Sequence, residues 1–292
     1  MDFRSLRIFL AVAQEKSFVR AAEAIYLTQP NLTRTIKELE NELGEPLFIR
    51  SKKGLILTEK GLLLQRRAEE IISLVRKTKE DLMKSEEEVV GTVYLASGET
   101  DGIRPIARAM KFIRGEYPGI RFHIFSGHGP EVVRKIDNGT ADFGIVFEPF
   151  DLKKYDHLRM PWSETWGVLA RKDDPIASLK VVTREDLKKC SLWCSEQMSE
   201  GNGLSGWLGE RVDNLNIIGT YTLINTPKIM VEEGVGTALT FENLVNTDSE
   251  DSDLVFRPLY PPLHAGMYLI WKKDQLFSKP ASIFLERLRA FS

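Results

Sequence analysis

The chain is poor in the residues from which disulfide frameworks and metal sites are built. Its 292 residues include two cysteines and four histidines. Cys190 and Cys194 could in principle form a redox pair, but free, mostly buried cysteines are the simpler interpretation. The histidines show no metal-ligand spacing: His123, His128, His157 and His264. We therefore expect neither a metal nor another cofactor.

The sequence also lacks a hydrophobic run long enough to cross a membrane. No stretch approaches the roughly 18–20 apolar residues of a spanning helix. Two arginines precede the apolar residues 8–13, but this run is shorter than the roughly 7–15 residues of a secretory signal core. One face of a helix predicted over residues 5–15 explains the same side chains: Leu6, Phe9, Leu10 and Ala13. These features predict a cytoplasmic protein.

Neither sign of charge is in excess. The 40 lysines and arginines nearly balance 42 aspartates and glutamates, and a net charge of −2 does not by itself suggest a nucleic-acid-binding protein. Locally, residues 34–60 gather basic side chains that could form a cationic surface: Arg34, Lys37, Arg50, Lys52, Lys53 and Lys60. The length of the chain favours two or three domains.

Residues 17–42, SFVRAAEAIYLTQPNLTRTIKELENE, predict two short helices joined by a tight turn. In the first helix, over 18–25, Ala21 and Ala22 are small enough for another helix to approach closely. Thr28 offers the side-chain oxygen of a helix N-cap, and Pro30 follows in the first turn, where its missing N–H costs nothing. The second helix has one apolar stripe: Leu32, Ile36, Leu39 and Leu43.

The opposite face of this second helix is polar. Amides, hydroxyls and a guanidinium match the donors and acceptors of major-groove base edges and of the phosphates beside them. The pattern predicts a helix-turn-helix, with these candidate DNA-binding residues: Thr28, Gln29, Pro30, Asn31, Thr33, Arg34 and Lys37.

Two apolar runs, 47–49 and 55–57, follow a predicted helix stop at Gly44 and outline a β-hairpin with a basic tip. A hairpin beside a recognition helix is a wing, whose cations lie against DNA phosphates. A solvated turn is the alternative interpretation. The candidate wing residues are Arg50, Ser51, Lys52 and Lys53.

Residues 59–88 predict one long helix with a heptad seam. A single helix of this length cannot bury such a seam alone, so a partner chain is the economical explanation. Packing on the downstream part of the same chain is the alternative. The seam consists of Leu64, Ala68, Ile71, Val75, Thr78 and Leu82.

From residue 90 the chain alternates between strand-like and helical segments. Strands predicted over 93–97, 120–125 and 142–147 alternate with helices, which implies a parallel α/β sheet. A second unit has strands over 165–170, 191–194, 219–223 and 236–240. A strand over 267–271 and a helix over 281–291 close the chain. GNGLSG at 201–206 spells a dinucleotide fingerprint but lacks a strand leading into it, so we predict a loop there and a helix over 207–212.

The first 60 residues closely resemble the LysR-type transcriptional regulators. The matching features are the SF–RAAE entry, TQP at the recognition helix, ELG–PLF before the wing and LTEKG at the linker helix. The rest matches the family's effector domain in outline through YPGIRFHIFSG, GTADFGIVF and VEEGVGTAL. The resemblance implies a winged helix-turn-helix over 1–58, a dimerising linker helix over 59–89 and an effector domain over 90–292. That α/β domain would resemble periplasmic binding proteins, with subdomain I at 90–161 and 267–292 and subdomain II at 162–266.

The same resemblance implies partners and contacts. Family members usually form tetramers and bind a dyad site of T-N11-A type on double-stranded DNA. Gln29, Pro30, Asn31 and Thr33 would face bases, whereas Arg34, Arg50 and Lys52 would face phosphates. Asn31 departs from the alanine of many relatives, so base preference cannot be transferred there.

A small-molecule effector is expected between the two subdomains, beyond the carboxyl ends of the strands. The helix predicted to begin near Thr100 would offer free N–H groups to an anion, although nearby acids such as Glu99 and Glu148 oppose this. Thr100 as a plain N-cap is the alternative, and the charge of the effector stays open. The candidate effector-binding residues are Ser97, Glu99, Thr100, Ser126, His128, Phe147, Ser195 and Gln197.

Three classes of function compete. An effector-responsive transcription regulator explains both halves of the chain and the heptads. A solute-binding protein would need an export signal, and an α/β enzyme would leave the helix-turn-helix without a role. We therefore expect a regulator and not an enzyme.

Overall fold

A computed structural model describes residues 1–51, 54–82, 89–196, 198, 202–249 and 252–290. The chain divides into two compact units, Met1–Met83 and Lys84–Ser292. The elements of the first unit are α1 (Phe3–Glu15), α2 (Phe18–Ala24), α3 (Gln29–Leu43), β1 (Phe48–Ser51), β2 (Gly54–Leu57) and α4 (Glu59–Leu82).

Helices α1 to α3 form the predicted helix-turn-helix. Helix α1 begins two residues before the predicted start because Asp2 caps it: the Ser5 backbone N–H donates to Asp2 Oδ1 at 2.7 Å. Tyr26 makes the turn after α2 with a positive φ of 55°, and Gly44 ends α3 with a φ of 73°. Thr28 has the extended backbone of an N-cap, but its side chain makes no capping bond. Pro30 occupies the second helical position and has no N–H to donate.

The core of the first unit is formed by all three of these helices, the hairpin and part of α4. Leu32, Ile36 and Leu39 are buried as predicted, whereas Leu43 is 41% exposed at the last residue of α3. Ala68 is fully buried and Leu64 packs beside it. Of these two residues of the predicted seam, Ala68 therefore belongs to the core of its own chain and Leu64 is partly buried against it.

The exposed strip of α4 overlaps the predicted seam only in part, with Ile71 in both. Leu63, Ile71 and Leu74 are 47%, 39% and 43% exposed, and at 100° per residue they lie within an arc of about 80°. The Arg67–Glu70 ion pair, 2.9 Å long, lies on the same strip. The apolar surface left for a partner is thus rotated from the predicted seam. The last part of the predicted helix, 83–88, lies outside the described residues.

Strands β1 and β2 pair antiparallel from Phe48↔Leu57 to Ser51↔Gly54, which confirms the hairpin. Glu40 of α3 fixes its base, because its Oε1 accepts the Leu47 N–H at 2.7 Å. Lys52 and Lys53 at the tip lie outside the described residues, and only the backbone of Arg50 and Ser51 is described.

The second unit is an α/β domain. Its strands are β3 (Gly91–Ser97), β4 (Ile120–Ser126), β5 (Phe143–Phe147), β6 (Tyr155–Arg171), β7 (Ser191–Ser195), β8 (Asn216–Tyr221), β9 (Thr237–Phe241), β10 (Leu254–Pro258) and β11 (His264–Lys272). Its helices are α5 (Arg104–Glu116), α6 (Gly129–Asp137), α7 (Arg184–Leu187), α8 (Asn202–Leu208), α9 (Asn225–Glu232) and α10 (Lys279–Arg289), and a 3-10 turn at Asp101–Ile103 precedes α5.

The sheet is mixed and not parallel throughout. Its order is β4-β3-β5-β11-β6-β9-β7-β8, with β10 paired to β6. Strand β3 is parallel to β4 and β5, and β7 is parallel to β8 and β9, as the alternating helices predicted. Strands β6 and β11 run antiparallel to their neighbours because they carry the chain between the two halves of the domain without a crossover helix.

Strand β6 is much longer than the predicted segment 165–170. It pairs with β11 up to Thr165 and with β9 from Trp166 onward. The two halves have separate cores on either side of this change of partners, one around Phe143 and Phe284 and the other around Leu192 and Leu239. Strand β6 therefore belongs to both halves.

Residues 202–206 of GNGLSG are helical and not a loop, and Gly201 lies outside the described residues. Helix α8 begins at Asn202, and Leu204, Trp207 and Leu208 are buried in the second core. Their spacing of three and one places them on one helical face. The stabilisation gained by burying that face exceeds the free-energy cost of two glycines in a helix. The prediction of a helix over 207–212 is therefore wrong in its bounds, because the observed helix ends at Leu208.

Candidate functional site

The first candidate site is the polar face of α3. Thr28, Gln29, Pro30, Asn31, Arg34 and Lys37 are exposed, and Thr33 is half-buried. Arg34 lies along the helix, where its Nε donates to Glu38 Oε1 at 2.8 Å. An exposed pair of this kind contributes little to stability, so the guanidinium is free to exchange Glu38 for another anion. The site presents exposed amides and hydroxyls together with the cations Arg34 and Lys37.

The second candidate site is a cavity of about 180 Å³ inside the α/β domain. It lies beyond the carboxyl ends of the strands from both halves, where ligands of open α/β sheets bind. Glu99, His128, Phe147 and Ser195 line it, as predicted from sequence. Its wall also contains Trp166, Met198, Tyr221, Thr222, Ile224, Thr240, Phe241 and Leu244.

Three predicted effector-binding residues do not line this cavity. The Ser97 hydroxyl donates to the Gly98 carbonyl at 2.7 Å, and Ser126 ends β4 outside the cavity wall. Thr100 caps the 3-10 turn before α5, where its Oγ1 accepts the Gly102 N–H at 2.9 Å. The plain N-cap is therefore the observed role of Thr100. Gln197 lies outside the described residues.

The predicted anion site at the start of α5 is already occupied. Glu164 is buried there, accepts the Gly102 N–H at 2.9 Å and is hydrogen-bonded to the Thr100 hydroxyl. Its carboxylate provides the negative charge that the helix N-terminus favours. An anionic ligand would have to displace a residue of the protein's own core.

Two further helix N-termini at the cavity carry their own glutamates. Glu131 caps α6: its Oε2 lies 3.3 Å from the His128 backbone N and 2.8 Å from His128 Nδ1. Glu99 reaches across the cleft to α9, accepting the Ile224 N–H at 2.8 Å and the Asn225 side-chain amide at 3.3 Å. Glu99 therefore joins the two halves of the domain.

Aromatic rings form one wall of the cavity. The ring centroids of Phe147 and Phe241 are 5.1 Å apart, and those of Trp166 and Phe241 are 4.1 Å apart. Tyr221 donates its hydroxyl proton to the Leu239 carbonyl at 2.7 Å, and burial raises the pKa of this phenol. Trp166, Tyr221 and Phe241 were not predicted as site residues because aromatic residues within strands normally belong to the core.

Glu148 and Glu196 add charge at the rim. Tyr268 donates to Glu148 Oε1 at 2.6 Å, and this bond raises the pKa of Tyr268. Glu196 Oε2 lies 3.8 Å from His128 Nε2, so His128 stands between two carboxylates. Within the described part of the chain no lysine or arginine lines the cavity.

The two cysteines lie in the second core, away from the cavity wall. Burial raises the pKa of Cys190 to about 11 and that of Cys194 to about 12. Because the thiolate is the reactive form, both thiols are suited to packing and not to redox chemistry. The described residues also contain no cluster of metal ligands and no helix long and apolar enough to cross a membrane.

We expect the native protein to resist Ellman's reagent at about pH 8, since both thiols are buried and protonated. Unfolding in guanidinium should release colour equivalent to both cysteines. Rapid labelling of the native chain, or a reducible link between the two residues after peroxide treatment, would contradict this assignment.

Comparisons with known proteins agree with this architecture. Residues 3–62 match the bacterial regulatory helix-turn-helix protein, lysR family, and residues 86–292 match the LysR substrate binding domain. The regulator YfeR of Shigella flexneri is 27% identical over 99% of this chain and 93% of its own length. The Hca operon transcriptional activator HcaR of Escherichia coli (strain K12) is 27% identical over 96% of this chain and 94% of its own length.

Solved structures show the same fold. CbnR, crystallised with its target DNA, matches all of this chain and all of its own with a TM-score of 0.75 at 18% identity. Full-length BenM matches 99% of this chain and 96% of its own with a TM-score of 0.55 at 20% identity. With both parts of the chain matched in order, this protein belongs to the LysR family of DNA-binding transcriptional regulators.

Proposed function

We propose that this regulator binds a dyad site of T-N11-A type through α3 and the wing, and that a small molecule in the cavity controls it. The observation that carries the proposal is the joint presence of an exposed polar recognition face and a cleft closed by residues from both halves of the α/β domain. Reversible binding accounts for this role without an enzymatic step, and we place the protein in the cytoplasm with its DNA.

On α3 the proposed contacts follow from exposure and chemistry, and on the wing they follow from the sequence. Polar and small residues at the start of α3 face base edges, and cations face phosphates. The base-facing set is Gln29, Pro30, Asn31 and Thr33, with Thr28 at the helix start; the phosphate-facing set is Arg34, Lys37, Arg50, Ser51, Lys52 and Lys53. In the cavity we retain Glu99, His128, Phe147 and Ser195 and add Trp166, Tyr221 and Phe241.

The proposed organisation keeps the segments 1–58, 59–89 and 90–292. The change of partners of β6 between Thr165 and Trp166 supports a subdomain boundary within this strand. Two chains would pair through the exposed strip of α4, and pairs would assemble into tetramers. Effector binding would change how the halves of the α/β domain close and thereby the spacing of the winged domains on DNA.

A substitution in α3 tests base recognition. Gln29→Ala should weaken binding to the cognate site by about 1–3 kcal/mol, or about 5- to 150-fold in Kd, because one bidentate base contact is lost. Preference should relax at one position of the site only. The measurement is a fluorescence-anisotropy titration against the cognate site and single-base variants of it.

Lys37→Ala is the matched control on the same helix. Loss of a phosphate contact should weaken all sequences alike and reduce the slope of log K against log salt by about one. Equal, sequence-independent losses in both variants would refute the base-reading role of Gln29.

A further inference from the structure

The wall of the effector cavity carries fixed charge of one sign. Glu99, Glu148 and Glu196 line it, and no lysine or arginine among the described residues balances them there. Arg159 approaches Glu148 at 3.8 Å but does not line the cavity, and His128 is held between Glu131 and Glu196. A ligand with a negative charge would meet repulsion from three carboxylates.

The helix N-termini around the cavity do not offset this negative charge. Those of α6 and α9 are capped by Glu131 and Glu99, and the turn that leads into α5 is capped by Glu164. Each of these carboxylates accepts a backbone N–H that would otherwise be offered to an anion. At each of these three positions the backbone N–H therefore already has a carboxylate partner within the protein.

The aromatic part of the cavity wall can pack against the apolar part of an organic cation. Phe147, Trp166 and Phe241 form a continuous aromatic surface, with neighbouring centroids 5.1 and 4.1 Å apart. Aromatic faces attract cations and pack flat apolar groups. Glu99 uses its two oxygens for two hydrogen bonds, whereas a carboxylate has about four acceptor sites, so it retains capacity for an ammonium group.

We propose that the effector is a small organic cation, an ammonium group on an apolar, ring-sized body. The ammonium lies against Glu99 on the side of Glu196, and the ring packs on Phe147, Trp166 and Phe241. This inference rests on the proposed function, in which the cavity is the effector site. It assigns a positive charge to the effector, which the sequence left open.

The test uses full-length protein and matched sets of probes that share a ring and carbon count and carry a cationic, neutral or anionic head group. The sets are benzylamine, benzyl alcohol and benzoate, and 2-phenylethylamine, 2-phenylethanol and phenylacetate. Thermal shift and titration calorimetry near neutral pH should show the amines binding about 10- to 150-fold more tightly than the alcohols. This ratio corresponds to the free energy of one charge-assisted hydrogen bond. The carboxylates should give no shift.

Glu99→Gln keeps the shape of the side chain and an acceptor for the Ile224 N–H but removes the charge. It should reduce amine affinity by about tenfold or more and leave alcohol affinity within about twofold. Glu185→Gln removes an exposed carboxylate away from the cavity and should change neither. Tighter binding of the carboxylates, equal binding of amines and alcohols, or no amine shift at millimolar concentration would overturn the cation assignment.

A variant with a blocked cavity distinguishes failure of the charge assignment from failure of the cavity as the effector site. Thr222 is an exposed residue of the cavity wall, and Thr222→Trp should close the mouth and abolish every probe-induced shift. Shifts that survive in both Thr222→Trp and Phe147→Ala would place binding elsewhere and overturn the cavity as the effector site. Loss of all shifts in these variants together with carboxylate-selective binding in the wild type would leave the site standing and overturn only the charge.

Discussion

A Leu74→Glu variant is expected to be monomeric and to lose most of its affinity for a dyad DNA site. Leu74 lies on the exposed strip of α4 with Leu63 and Ile71. If two chains pair through this strip, the new carboxylate is removed from water, which should weaken pairing by several kcal/mol. A monomer reaches one half-site only, so DNA affinity falls with the dimer.

Light scattering and anisotropy titration of the full-length chain measure both effects. Arg76→Glu is the control, because Arg76 is exposed on the same helix about 160° from Leu74 and also gains a carboxylate. We expect the control to keep the oligomeric state of the wild type. A Leu74→Glu protein that remains dimeric through α4 would exclude the strip as the interface.

Phe284→Ala should destabilise the α/β domain by about 3–5 kcal/mol through loss of apolar contact and the cavity left behind. Phe284 of α10 is fully buried, with ring centroids 5.2 Å from Phe143 and 5.9 Å from Phe122. This is a large part of the roughly 5–15 kcal/mol that stabilises a typical domain. The closing helix therefore holds the first half of the domain together.

Calorimetry should show the melting midpoint of the second unit lowered by about 6–20 °C, given about 2–4 °C per kcal/mol for a unit of this size. Phe112→Ala is the matched control, since Phe112 is 47% exposed and contacts the Arg287 guanidinium at 3.9 Å from its ring centroid. Its loss should cost about 0.5–1 kcal/mol. Equal losses in the two variants would show that α10 is not part of the cooperative core.

Local sequence determined most of the described part of the winged domain. Small residues at Ala21 and Ala22, the turn at Tyr26, the helix stop at Gly44 and the 3.6-residue stripe of α3 act over a few neighbouring positions. Helix periodicity and turn chemistry depend on such short-range contacts, so they can be read along the chain. The alternating strands and helices from residue 90 gave the α/β class for the same reason.

The tertiary structure decided which surfaces are free and which groups meet. The long helix predicted from the heptad spacing is present as α4, but only the folded chain shows that Ala68 is buried in the core of its own unit, with Leu64 partly buried beside that core. Glu99 accepts a hydrogen bond from Ile224, which lies 125 positions away in the sequence. Glu164 occupies the helix N-terminus that the sequence left open to an effector. Such pairs depend on how β6 and β11 bring the two halves together. Since the side-chain pattern of one segment is compatible with many distant partners, only the folded chain selects them.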